Sequence, residues 1–315
     1  MPVTEMRQCA TERAKACFLR ACELDVAVRK PGNVSRASAG HAMTADDFIA
    51  SAGAVAGPLF ERGASVGERI EASVDAAWAV ANCNTNLGIV LLCAPIARAV
   101  ELRPDASAPE ALQGAIEIVL GELDLADAQA AFRAIARARP GGLGAAPAQD
   151  VRHAPSVDLR TAMALAAHRD SIARQYRDGY GELFELGLPT LGTRFSLMAA
   201  PVTGAPDAGT VAAVQRLYLA LLSSVPDSHI VRIHGEAVAH IVMTAAQGWR
   251  VRQRCHGGLD GDPDFAAWDA SLKADHINPG TTADLTVAAL LIAGLRSPSP
   301  SAAGPPGPGG TDRDT

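Results

Sequence analysis

Lys30-Pro31-Gly32-Asn33-Val34, followed by Gly40-His41, brings a cation, an amide and an imidazole close to a Pro-Gly turn. Such a turn exposes backbone N–H groups, and with Lys30 beside it the segment has the makings of a phosphate cradle. The plainer alternative is a turn that ends a helix, with Lys30 solvated. Just downstream, Thr44 and Asp47 have the spacing of a capping box, which leaves Asp46 freer for other work.

Three further polar segments interrupt apolar sequence. Asn82-Cys83-Asn84-Thr85-Asn86-Leu87-Gly88 places amides and a hydroxyl directly before a strongly apolar stretch. Asn84, Thr85 and Asn86 could grip a ribose or base, and the start of the following helix favours an anion; alternatively Asn84 or Thr85 simply caps that helix. Asp170, Arg174 and Asp178 share one face if 158–178 is a single helix, either lining a charged cleft or forming a solvated strip of ion pairs. The last segment has two parts. Asp227-Ser228-His229-Ile230-Val231-Arg232-Ile233-His234-Gly235 concentrates an acid, two histidines and an arginine. His276-Ile277-Asn278-Pro279-Gly280-Thr281-Thr282-Ala283-Asp284 opens the last helix, and Thr281 and Asp284 again fit a capping box. His229, His234 and His240 lack the spacing of a zinc site, and neither a Walker loop nor a Rossmann fingerprint occurs.

The elements that must position these groups read as helices throughout. Apolar residues recur at helical spacing over 7–28, 44–60, 67–82, 86–101, 107–120, from Asp124 to before Pro140, 158–178, 209–223, 233–247, 263–273 and 281–295. Tyr176 and Tyr180 read as packing residues. No alternating run nucleates a sheet, and the Ala- and Leu-rich composition with 4% aromatics suits packed helices. The expectation is an all-α fold: one large multi-helix domain over 1–296, its polar turns forming a central cleft. The Gly- and Pro-rich stretch 140–157 is a candidate hinge. The Pro/Gly/Ser-rich tail 297–315 is expected to be disordered.

Composition narrows the partners. A formal charge of −6 argues against nucleic-acid binding through the overall field, though not against a local basic pocket. The longest apolar stretch, Leu87–Ala97, is about half of the roughly 20 residues a membrane helix needs. No secretory signal opens the chain, and the six cysteines include no Cys-x-x-Cys or disulfide framework. A soluble, cytoplasmic protein is expected, with the oligomeric state left open.

Taken in order, Lys-Pro-Gly-Asn-Val, Gly-His, Asn-Thr-x-x-Gly before an apolar helix, Asp-x-x-x-x-Arg near a Gly, and Asn-Pro-Gly-Thr-Thr-Ala-Asp-Leu resemble the triphosphoribosyl-dephospho-CoA synthase family. The similarity runs from about residue 13 to 295. It implies an all-α enzyme that joins ATP to 3′-dephospho-CoA and releases adenine. Onto this chain it carries Lys30, Gly32, Asn33 and His41; Asn84, Thr85 and Gly88; Asp75 at the place of an upstream family acid; and Asp227, Arg232, Gly235, Pro279, Gly280, Asp284 and Leu285. One departure stands out. Family enzymes usually read Asn-Thr-His-Lys-Gly where this chain has Asn84-Thr85-Asn86-Leu87-Gly88, the form of a divergent branch.

If that activity holds, a ribose hydroxyl attacks C1 of the ATP ribose through an oxocarbenium-like transition state. The site then needs negative charge, a base and a donor to adenine. The triphosphate calls for Mg²⁺. Asp75, Asp170 and Asp227 are the expected metal-binding or cation-stabilising residues. Lys30 and Arg232 are expected on phosphates, Gly280, Thr281 and Thr282 as backbone donors beside Asn278, and His41 or His229 as the proton-transfer group. Three other readings compete: pentosyl transfer to another acceptor in cofactor synthesis, metal-dependent nucleotide hydrolysis, and nucleotide binding without catalysis.

Overall fold

The computed structural model describes residues 3–41, 43–198 and 205–296, all of them in helices or connecting loops. The expected tail 297–315 lies outside them. The helices are α1 Val3–Ala27, α2 Ala45–Leu59, α3 Val66–Ala81, α4 Leu87–Leu102, α5 Pro109–Glu122, α6 Leu125–Ala138, α7 Leu159–Ala166, α8 Ser171–Arg177, α9 Leu188–Leu191, α10 Ala208–Leu222, α11 Ser228–His234, α12 Glu236–His256, α13 Pro263–Ala274 and α14 Gly280–Arg296. A π-helical turn, Leu183–Gly187, runs directly into α9. Among the described residues there is no sheet, only two isolated bridges, Ser35–Ser38 and Gly40–Met43.

Helices α4 and α14 are apolar on nearly every side, so they must be enclosed by others. Each is buried along most of its length, and they pack against one another and against α1. One apolar cluster gathers around this pair. A second, smaller one is built from Tyr218, Leu219 and Leu222 of α10 with residues of α11, α12 and α13. Helix α10 serves both, since its Val214, Leu217 and Leu221 belong to the first cluster.

Pro95 sits inside α4 and supplies no N–H to the carbonyl one turn before it. Leu91, four residues earlier, instead accepts a hydrogen bond from the Tyr176 hydroxyl at 2.6 Å, and Leu92 accepts one from Tyr180 at 2.7 Å. Both tyrosines are fully buried, as packing residues should be. They couple the chain around α8 to the middle of the central helix.

Two expected helices are divided. The span 158–178 breaks before Asp170, whose extended backbone and side chain, accepting from the N–H groups of Ile172 and Ala173, start α8 afresh. Asp170, Arg174 and Asp178 therefore do not form one strip: Asp178 pairs with Arg177, and Arg174 reaches Ser171 and Glu182. The helix expected over 233–247 begins earlier, where Asp227 caps α11. It is then interrupted at Gly235, whose φ of 86° is costly for other residues, and resumes as α12 to His256.

Candidate active site

The polar turns meet. A cavity of about 360 Å³ is lined by Asn33 and His41 from the first motif and by Asn84, Thr85 and Gly88 from the second. Asp170, His229, Arg232, Asn278, Gly280 and Thr281 complete its polar wall with Asp25 and Asp284. Phe48, Phe132, Ile135, Val151 and Met163 form an apolar wall. Helices α4 and α14 both begin at this cavity, so each presents its positive end there.

The first motif is a support for this wall. Lys30 is fully buried, bonded to Asp25 at 2.8 Å and to Asn33 Oδ1 at 2.6 Å, and its charge is therefore held internally. The Asn33 amide continues the chain of bonds to Asn278 Oδ1 at 3.0 Å. Gly32, with φ of 81°, lies so close to the last motif that a Cβ there would stand 2.7 Å from Pro279 Cδ and 2.8 Å from the Ile277 carbonyl. Its N–H donates to buried Asp269, and its carbonyl accepts from His41 Nε2 at 2.8 Å. The two turns are thus fitted to one another across most of the chain.

The second motif divides its labour. Asn84 and Thr85 reach the cavity, and Asn84 Oδ1 accepts from Leu87 N–H at 3.3 Å, in part the capping role anticipated for it. Thr85 is bonded to Ser51 Oγ at 2.7 Å. Asn86 does not line the cavity; it is buried, with its amide 3.0 Å from the same Ser51 hydroxyl.

Asp227 is buried behind the wall and joins two helix starts. Oδ1 accepts from the N–H groups of His229 and Ile230; Oδ2 accepts from Thr282 N–H and Oγ1, both at 2.7 Å. Four donors occupy its lone pairs, and Thr282 is committed to the same interaction. Burial nevertheless raises the Asp227 carboxyl above its ordinary range, against the pull of these bonds. The Thr281–Asp284 capping box is not formed, because α14 already begins at Gly280 and Asp227 serves its first turn. The Thr44–Asp47 capping box is present.

Asp75 lies apart from the cavity. It is exposed on α3 and paired with Arg137 of α6 at 2.6 Å. Asp170 remains at the wall, its Oδ2 3.5 Å from Arg232 while Oδ1 caps α8. Of the three expected metal carboxylates, then, one faces the cavity.

Arg232 is the hub of the polar wall. Besides Asp170, it donates from Nε to the Gly141 carbonyl at 2.9 Å and from Nη2 to His229 Nδ1 at 3.1 Å. A guanidinium has no lone pair to offer, so Nδ1 is the acceptor and the neutral imidazole carries its proton on Nε2. Burial, with Arg232 and two other histidines nearby, lowers the His229 pKa to about 4. The stretch 140–157 borders the cavity through Leu143, Ala146 and Val151, and is fixed internally by Asp150, which accepts from Ala146 N–H and pairs with Arg152.

Two acids stand out to which spacing alone gave no site role. Asp25 is buried near the end of α1. Asp284, read from spacing as a capping-box residue and given a place in the site through resemblance, is the one acid of the largely apolar α14 and has no hydrogen-bond or ion-pair partner among the described residues. Burial, with Asp25 and Asp227 close by, pushes its carboxyl well above the ordinary range, Lys30 and Arg232 opposing. A lone acid in the second turn of a largely apolar helix is the signal that marks it.

Residues 11–302 match the family model described as CitG: ATP:dephospho-CoA triphosphoribosyl transferase. A crystal structure from Archaeoglobus fulgidus, assigned as a triphosphoribosyl-dephospho-CoA synthase, is similar over 79% of this chain and 98% of that one, with a TM-score of 0.58. At 23% identity, that likeness speaks for the fold. No match is found among curated proteins.

Proposed function

The chain belongs to the ATP:dephospho-CoA triphosphoribosyl transferase family, and from that premise we propose that the cavity at the starts of α4 and α14 is where the triphosphoribosyl group is transferred. The observation that carries this is the convergence on one cavity of Asp284, Asp170, His41 and the His229–Arg232 pair of α11, from four separate places in the chain.

In this reading the acceptor hydroxyl attacks C1 of the ATP ribose, the C1–N9 bond breaks, and adenine leaves with a proton. Asp284 faces the positive charge that develops on the sugar. The two histidines take different parts. His41 donates Nε2–H to the Gly32 carbonyl, which leaves Nδ1 as the acceptor for the hydroxyl proton. His229 receives Arg232 on Nδ1, which leaves Nε2–H to hydrogen-bond the departing adenine, whose proton comes from water. The apolar wall around Phe48 and Phe132 suits a purine face.

Mg²⁺ fits the donor set. Among the described residues no three His, Cys, Asp or Glu side chains are grouped to hold a metal, so the protein's share is one or two carboxylates, as Mg²⁺ commonly takes beside phosphate. Asp284, without a partner, and Asp170 would hold it. When bound, it neutralises triphosphate charge. In this chain Asn86 is packed on Ser51 and Leu87 carries no charge. Arg232 and Arg169, both on the wall, therefore supply the fixed cations for phosphate.

The experiment is incubation of the purified protein with ATP, Mg²⁺ and dephospho-CoA, followed chromatographically for adenine. Adenine dependent on the acceptor supports the transfer. Adenine without acceptor points to hydrolysis, and none above background retires the assignment of this acceptor.

A further inference from the structure

A second cavity, of about 530 Å³, lies between α9, α10 and α12 and shares no lining residue with the first. Its wall carries three guanidinium groups: Arg216 of α10, and Arg250 and Arg254 of α12. Neutral oxygens hold two of them. Arg216 Nε donates to the Thr190 carbonyl at 3.1 Å, and Arg250 Nη1 donates to Ser223 Oγ at 3.0 Å. No carboxylate stands within ion-pair distance of any of the three among the described residues, although many of the chain's other arginines are so paired. This happens in a protein with 34 acidic residues against 28 basic ones.

Like charges gathered on one concave wall repel, and the repulsion is strongest where water is partly excluded. Burial and the neighbouring Arg254 both disfavour the charged form of Arg250. The negative end of α12 offsets Arg254 in its last turns, but Arg216 stands on another helix. An anion with several oxygens complements such a wall, and guanidinium forks suit phosphate best. We propose that this cavity is a second anion site, taking a phosphate or pyrophosphate group of a small molecule through Arg216, Arg250 and Arg254.

The position gives such binding a consequence. Thr190 follows Leu188 of the first apolar cluster, α12 belongs to the second, and Arg216 stands on the helix common to both. An anion there ties the two clusters together, and a ligand that binds only the folded chain raises its melting temperature.

The test is calorimetric titration of the full chain with inorganic pyrophosphate at low ionic strength and without divalent cations. Any pyrophosphate held instead in the catalytic cavity, where Arg169 and Arg232 stand, is told apart by its dependence on Arg232. Wild-type protein is expected to bind one pyrophosphate. The R216A/R254A variant, and R254A alone, should weaken it by about tenfold or more, while R232A leaves it unchanged. ADP in place of pyrophosphate distinguishes the source: tighter binding with the same arginine dependence identifies a nucleotide, equal binding the phosphates alone. No binding at millimolar pyrophosphate, binding untouched by R216A/R254A, or binding lost in R232A overturns the proposal. None of these outcomes bears on adenine release at the first cavity.

Discussion

Gly88 and Asp284 stand so close that a Cβ built on Gly88 would fall 2.0 Å from Asp284 Oδ2 and 2.5 Å from its Cγ. The first turn of α4 is thus the floor against which the α14 carboxylate rests, and the glycine of the second motif is there to make room for an acid nearly two hundred residues later. Gly88→Ala must turn Asp284 away. Adenine release should fall by roughly 100-fold, the scale of a 1 Å misplacement of a reacting group. Helical circular dichroism should be unchanged.

Arg232 holds a loop carbonyl, an imidazole and a carboxylate with one planar fork. A lysine keeps the charge but cannot span three partners. Arg232→Lys is expected to lower kcat/KM for ATP by roughly 10- to 100-fold. Gly142→Ala should resemble it, since φ there is 68° and a Cβ would lie 2.6 Å from the Arg232 carbonyl. Steady-state kinetics on the two variants checks this.

His229 should titrate near 4 and remain the Nε2–H tautomer above that, which nitrogen NMR of the imidazole reads directly. The sign for stability follows. The folded pKa is depressed below the unfolded value of about 6.5, so the unfolded chain binds more protons between those limits, and stability falls as pH drops from about 6.5 to 4. His229→Asn should flatten that part of the curve of urea-unfolding free energy against pH.

Tyr176→Phe leaves the Leu91 carbonyl without the hydroxyl that replaces the N–H Pro95 does not have. A loss of about 1–3 kcal/mol in denaturant unfolding is expected.

Most helices were legible because burial on one side writes a helical period into the sequence. The breaks were less so. Asp170 looks like one more polar residue on a continuous face, and only tertiary placement makes it a cap; Ser171 N–H, for instance, donates to Ser228 Oγ of α11. The polar motifs were legible as a set, since turns that open or close helices are where catalytic groups collect. Their division between wall and support was not. Lys30 reads as a phosphate cation until Asp25, buried near the end of α1, is seen to claim it. Asp227 reads as a catalytic acid until its four donors are counted from structure. The Thr282–Asp227 pairing spans 55 residues and leaves no local pattern.

The measurement that bears most directly on the central claim compares Asp284→Asn with Asp75→Asn in single-turnover adenine release from ATP. Asp284 stands at the cavity and Asp75 is paired on the surface of α3. Loss of at least about 100-fold in the first variant, with the second close to wild type, is the expected result. Near-normal release by Asp284→Asn, with Asp75→Asn inactive, would place the chemistry elsewhere and contradict the account.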